Sequence, residues 1–319
     1  MSDSSAVTGS TARSPSVAST ISRIAVGVDG SSGGKDAVVL ATGIASTLQA
    51  ELMLIAVAPE PLIVLPEEMN WKCVEQQAAT MLNQTQQALA PQARTVVATG
   101  QSVPRVLERV VGREHRELLV VGSSRHATMG RVRIGGRTRQ LLHELGAALA
   151  IAPRGLHAGP PVELRRIGVG FDGKRESEAA LSLAASIAQA AHAELHLYSV
   201  VDDRIPPMSL SAVATGVLDR WEEAIAAEED RLRGLGHARA RESNVIVYTQ
   251  ATRGRPADAL VPFSEQVDLI VIGSRRWGPV ARLLLGSTGE ALAHDAACAL
   301  LVVPRPDAPV AGPQVSASG

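Results

Sequence analysis

The chain repeats itself once, and that constrains its fold more than any other feature. IAVGVDGSS at Ile24–Ser32 returns as IGVGFDGKR at Ile167–Arg175, and AELMLIAV ending at Val57 returns as AELHLYSV ending at Val200, both displaced by 143 residues. LLVVGSSR from Leu118 returns as LIVIGSRR from Leu269, and ALAIAPR from Ala148 returns as ALLVVPR from Ala299, displaced by 151. The block order is unchanged, and the second copy gains residues only between its second and third strands. A repeat this long is a duplicated domain rather than a solenoid array, and 319 residues accommodate two domains.

Within a copy, short β-branched runs alternate with helical apolar spacing. The first copy predicts strands at Ile24–Val28, Leu52–Val57, Thr95–Ala98, Leu118–Val121 and Ala148–Ala152. Between them it predicts helices over Lys35–Ala50, Glu67–Leu89, Pro104–Arg113 and Thr138–Leu145, with Pro104 in a first turn where proline is tolerated. Alternating strands and helices imply right-handed crossovers and a parallel sheet covered on both faces. The expected fold is therefore α/β: two tandem Rossmann-like domains, each a five-stranded parallel sheet with helices on both faces. Domain 1 is placed at 21–154 and domain 2 at 164–305, joined by a Pro/Gly-containing linker at 155–163. Ser/Thr-rich 1–20 and Pro-rich 306–319 are expected to be disordered tails. Aromatic residues are only 2% of the chain, so the cores must be built from Ala, Val, Leu and Ile, as in buried parallel sheets.

In an open α/β sheet, ligands bind beyond the carboxyl ends of the strands. That rule selects the Asp29-Gly30-Ser31 and Asp172-Gly173 turns, together with the segments Gly122–Gly136 and Gly273–Thr288. Gly286-Ser287-Thr288 is expected to open a helix, where free N–H groups and the helix dipole favour phosphate. Asp172 can accept from a ribose hydroxyl or an adenine amine, or hold a metal; Val200 can offer backbone groups and apolar surface to a base. Asp-Gly after a strand is also ordinary turn chemistry, but its occurrence at equivalent places in both copies favours ligand contact.

On these residues the chain resembles the universal stress protein family in tandem form, and the resemblance covers nearly all but the tails. Nucleotide-binding members carry Gly, two residues, Gly, nine residues, then Gly-Ser/Thr. Gly273, Gly286 and Ser287 match, with Arg276 at the middle glycine. Gly122 and Gly135 match in the first copy, with Arg125 at the middle glycine and Gly136 at the final hydroxyl position. Similarity to the family implies an adenine nucleotide alpha-hydrolase-like domain binding ATP or AMP, with or without Mg, and acting in stress adaptation. The nucleotide contacts it implies are Gly27, Asp29, Val57, Gly122, Ser123, Arg125, Gly135 and Gly136 in domain 1. In domain 2 they are Gly170, Asp172, Val200, Gly273, Ser274, Arg276, Gly286, Ser287 and Thr288. It also implies dimer-like pairing through the last strand of each domain, internal to a tandem chain, with a homodimer of whole chains left open. An arginine at the middle position either crowds the phosphates or turns outward to hold them. The alternatives are an interaction scaffold with vestigial sites and a slow ATPase; no dedicated catalytic base can be placed.

Other classes find little support. Formal net charge is −1 and favours neither nucleic acid nor an anionic membrane. No apolar run is long enough to span a bilayer, and the N-terminus lacks the apolar core of a signal peptide. Cys73 and Cys298 have no Cys or His at metal-ligand spacing, and a reducing cytoplasm fits them best; Cys298 is expected to be buried and inert. His192 and His196 fall on a helix end and a strand, and share no helical face for a metal. Arg125, Arg131, Arg133, Arg137 and Arg139 lack interleaved aromatics and read as a solvated or phosphate-facing loop. Glu222, Glu223, Glu228, Glu229 and Asp230, with Arg231 and Arg233, read as the outer face of a long helix. Trp277 is a candidate cover for the ligand or for a partner surface.

Overall fold

A computed structural model describes residues 21–60, 72–204, 217–274 and 285–304. The first copy folds as β1 (Arg23–Val28), α1 (Ser32–Leu48), β2 (Glu51–Pro59), α2 (Lys72–Leu89), β3 (Arg94–Gly100), α3 (Val103–Arg113), β4 (Leu118–Gly122), α4 (Gly136–Glu144) and β5 (Ala148–Ala152). The second follows as β6 (Arg166–Gly170), α5 (Arg175–Ala191), β7 (Glu194–Val201), α6 (Val217–Glu242), β8 (Val247–Arg253), α7 (Pro256–Phe263), β9 (Leu269–Gly273), α8 (Ser287–Asp295) and β10 (Ala299–Val303). Arg276, Trp277 and the two tails lie outside the described residues.

All strands join one sheet in the order β3-β2-β1-β4-β5-β10-β9-β6-β7-β8. Pairing is parallel within each copy. Among the described strands the one antiparallel junction is β5 with β10, where Leu300 faces Ile151, Leu301 faces Ala150 and Val302 faces Leu149. The pairing expected through the last strands is thus present inside the chain. It removes the two edges that separate domains would expose.

Strand residues alternate between two apolar layers, as a period of two demands. Ile24, Val26, Leu118 and Val120 face one layer with Ala37, Val38, Ala41 and Ile44 of α1. Ala25, Leu119 and Val121 face the other with Val106, Leu107 and Val110 of α3. Each layer continues into the second copy, taking in Leu301 and Ala184 on one side and Leu300 and Leu292 on the other. Cys298 is buried in the second layer, and burial pushes its thiol up to about 12, which fits an inert core residue.

Helix α1 begins three residues before the expected Lys35. Ser31 is its N-cap, accepting from Gly34 N at 3.2 Å, so the glycine pair is helical rather than loop. The reason is packing against β4: a Cβ on Gly122 would lie 2.0 Å from Gly33 O. The same contact recurs in the second copy, where a Cβ on Gly273 would lie 2.2 Å from Glu176 O. The linker is latched to α1 by fully buried Asp36, whose carboxylate accepts from Gly155 N at 2.9 Å and His157 N at 2.8 Å and lies 2.5 Å from His157 Nδ1.

Candidate functional site

Both Asp-Gly turns have the same local geometry. Gly30 and Gly173 adopt φ of 75° and 73°, the left-handed region that glycine enters without penalty. Asp29 Oδ1 accepts from Ser31 N at 3.0 Å and Ser31 Oγ at 2.5 Å, so its carboxylate closes the turn and supports the cap of α1. Asp172 Oδ1 accepts from Lys174 N at 3.0 Å, while Oδ2 meets Lys174 Nζ at 2.7 Å. Burial raises the Asp172 carboxyl, but hydrogen bonds from the Lys174 side chain and backbone and from Ser177, with the lysine charge, outweigh it and hold the group below the ordinary carboxylate value.

In the second copy the Asp172-Gly173 turn opens onto a cavity of about 1130 Å³, somewhat above the range usual for small-molecule sites (roughly 300–1,000 Å³). Seven of the nine residues expected there line it: Gly170, Asp172, Val200, Gly273, Gly286, Ser287 and Thr288. Ser274 lies beside them in the core, its N–H donating to Val303 O at 2.9 Å and its buried hydroxyl unpartnered. Arg276 falls outside the described residues. Gly286 is the N-cap of α8 in extended backbone (φ −74°, ψ 178°) and offers no side-chain acceptor. The first-turn N–H groups of α8 have no intrahelical partner either, and they open on the cavity at Ser287, Thr288 and Gly289.

Sequence reading missed the other walls. Lys174 is two residues beyond Asp172, and its position in the repeated turn was the available signal. Tyr198 of β7 stacks on Phe263 of α7 with ring centroids 4.5 Å apart and faces the cavity. Arg255 and Asp258, at the start of α7, contribute opposite charges. Trp221 of α6 packs with Val201, Ile225 and Leu232, and its indole N–H is buried at the cavity wall without an acceptor. No sequence signal marked Trp221, because which face of α6 meets the ligand end of the sheet is set by tertiary packing. The expected outer face of α6 is corrected for Glu228, which lines the cavity while pairing with Arg231 at 2.6 Å, and for Glu229, which pairs with Arg253 of β8 at 2.8 Å as well as with Arg233 at 2.7 Å.

The first copy uses its equivalent segment differently. Gly122 ends β4, Gly27 is the penultimate residue of β1, and Val57 lies two residues before the end of β2. Ser123, however, donates to Ala152 O at 2.7 Å and accepts from Arg133 N at 3.2 Å, so its hydroxyl staples the loop to β5. Arg125 is exposed, with Nε 3.3 Å from His126 Nε2. Gly135 caps α4 without a side-chain acceptor, and Gly136 is exposed at its first position. The loop then reaches into the other domain. Val132 N donates to Ala296 O at 2.8 Å, Ile134 N to Ala293 O at 2.9 Å, and Arg131 bonds Asp295 O at 2.8 Å and Glu265 at 2.7 Å. Arg139 meets Glu290 at 2.6 Å. The expectation of a solvated or phosphate-facing arginine loop is therefore corrected for Arg131 and Arg139, whose side chains bind domain 2. His192 caps α5 in left-handed geometry, and His196 lies in β7 stacked on Tyr248 at 4.9 Å.

Two α/β domains that share one sheet, each with a glycine-rich segment beyond the carboxyl ends of its strands, define a duplicated doubly wound fold. The universal stress protein family model matches residues 20–152 and again 163–304; the chain belongs to that family, with two of its domains in tandem. It is similar to a universal stress protein of Mycolicibacterium smegmatis, 28% identical over 307 residues that cover 88% of this chain and 96% of that protein. A universal stress protein of Methanocaldococcus jannaschii is 31% identical over 144 residues, covering 44% of this chain and 83% of its own. Among solved structures, a universal stress protein of Archaeoglobus fulgidus superposes with a TM-score of 0.62 at 18% identity, covering 89% of this chain and 97% of that one. At that identity the likeness speaks for the fold. Among the described residues no helix is long and apolar enough to cross a membrane.

Proposed function

We propose that the chain is a regulatory adenine-nucleotide-binding protein of stress adaptation, with its working site in domain 2. The observation that carries this reading is the convergence of seven expected contact residues on one cavity at an open helix N-terminus. Phosphates of ATP or AMP sit on the N–H groups of Ser287, Thr288 and Gly289, with the two hydroxyls as further donors. Asp172 takes a ribose hydroxyl or adenine amine. Its two oxygens already face Lys174, which argues against a direct metal ligand, so any Mg arrives with the nucleotide. Val200 and Tyr198 supply apolar surface to the base.

Domain 1 serves chiefly as the pairing partner, because its Ser123 hydroxyl and loop are engaged in structural contacts. Binding regulates only as far as the nucleotide prefers one conformation or partner over another. Gly286→Asp tests the proposal. Aspartate is a good N-cap and suits the extended backbone there, so α8 is retained while a carboxylate occupies the phosphate position. ATP or AMP should raise the unfolding temperature of the wild type and leave that of Gly286→Asp unmoved. An equal rise in both would refute the phosphate assignment.

A further inference from the structure

Helix α8 presents its N-terminus to the proposed phosphate site, and domain 1 holds the rest of it. The last carbonyls of a helix have no intrahelical donors. Here Ala293 O, Asp295 O and Ala296 O accept from Ile134 N, Arg131 Nη1 and Val132 N, all from the glycine loop of domain 1. Nearer the other end, Arg139 of α4 places Nη1 2.6 Å from both carboxylate oxygens of Glu290.

Glu290 is the fourth residue of α8. It stands about 4.5 Å along the axis from Ser287, and helical side chains lean toward the N-terminus. Its charge therefore falls within a Debye length (about 8–10 Å) of a phosphate bound there. Alone it would oppose that phosphate.

We infer that Arg139 is a specificity-determining residue for the domain 2 site, acting from domain 1: by pairing with Glu290 it cancels the one negative charge in the first turn of α8 and so sets the preference for phosphorylated over unphosphorylated nucleosides. The inference rests on the proposed phosphate site. It assigns the departed loop and helix of domain 1 a role at the other domain's ligand.

The test compares adenosine, AMP and ATP without Mg, at about 0.05 M salt where exposed charges still interact, on the full chain and three variants. Arg139→Ala leaves Glu290 unpaired. At the exposure of this pair, screened Coulomb energies predict roughly fivefold weaker ATP, about twofold weaker AMP and unchanged adenosine. Glu290→Gln should bind ATP at least as well as wild type. The double variant Arg139→Ala/Glu290→Gln should return to within about twofold of wild type, and high salt should erase the Arg139→Ala defect.

A bridge that merely holds the domains together gives another pattern: equal losses for adenosine and ATP, and a double variant no better than Arg139→Ala. That pattern overturns the inference, as does an Arg139→Ala protein indistinguishable from wild type. If Arg139→Ala does not fold, ATP binding by Glu290→Gln weaker than wild type overturns it on its own. Failure of the wild type to bind AMP or ATP would instead remove the phosphate site itself, and the inference with it.

Discussion

The first glycine of each glycine motif is held by helix packing, and Gly273→Ala measures this. The added Cβ would sit 2.2 Å from Glu176 O, 2.4 Å from Glu176 C and 2.8 Å from Glu176 Cβ. Non-bonded carbons rest comfortably at about 3.5–4.0 Å, so the first turn of α5 must withdraw by more than ~1 Å. That turn is anchored by Ala180, Leu181 and Ala184, all buried against the sheet. Overpacking of this kind costs about 1–3 kcal/mol, and a backbone neighbour that cannot swing aside places it near ~3. For a chain of this size that is roughly a 4–5 °C fall in unfolding temperature. Thermal and urea unfolding of Gly273→Ala and Gly122→Ala should show the same sign. Gly112→Ala is the control: its Cβ meets nothing within 4 Å, on the exposed face of α3, so it should gain roughly 0.5–1 kcal/mol. Normal stability with lost nucleotide affinity in Gly273→Ala would refute the packing argument and give the glycine to the ligand.

Three further outcomes are expected. The Asp172 carboxyl is held low in the fold, so the stability it contributes is present above the ordinary carboxylate range and is lost as pH falls through its depressed value; Asp172→Asn should remove that acid-side loss, and NMR titration of Lys174→Met should find Asp172 moved up. Trp221→Phe keeps an aromatic ring but removes the pyrrole half with its unpartnered indole N–H; if that donor serves the ligand, ATP affinity should fall roughly three- to tenfold, the worth of about 0.5–1.5 kcal/mol, and Trp221→Leu, which lacks the donor as well, should fall by at least as much. Asp36→Ala should cost about 1–3 kcal/mol by removing the carboxylate that holds the half-buried Gly155 and His157 N–H groups and expose the 155–163 linker to limited proteolysis, whereas uncut linker at native stability would show that the latch is incidental.

Strand positions were readable because alternating apolar residues and the repeat reinforce each other, and Ala148–Ala152 matches to the residue. The start of α1 was not readable, since Gly33-Gly34 scores as loop until the close approach to Gly122 is known. The Asp-Gly turns were readable from local chemistry alone, and in the structure Gly30 and Gly173 both adopt left-handed backbone. The cross-domain contacts of Arg131 and Arg139 were not. They join residues 134 to 164 positions apart, and they exist only because antiparallel β5–β10 pairing brings the domain 1 loop onto α8. Nothing local to either arginine encodes that.

Calorimetric titration of the nucleotide-stripped chain with ATP, read for stoichiometry, tests the central claim most directly. One site per chain, abolished by Gly286→Asp and kept in Gly135→Asp, is the predicted result. Two sites per chain, or a site lost on Gly135→Asp and kept on Gly286→Asp, would contradict the placement of nucleotide binding in domain 2.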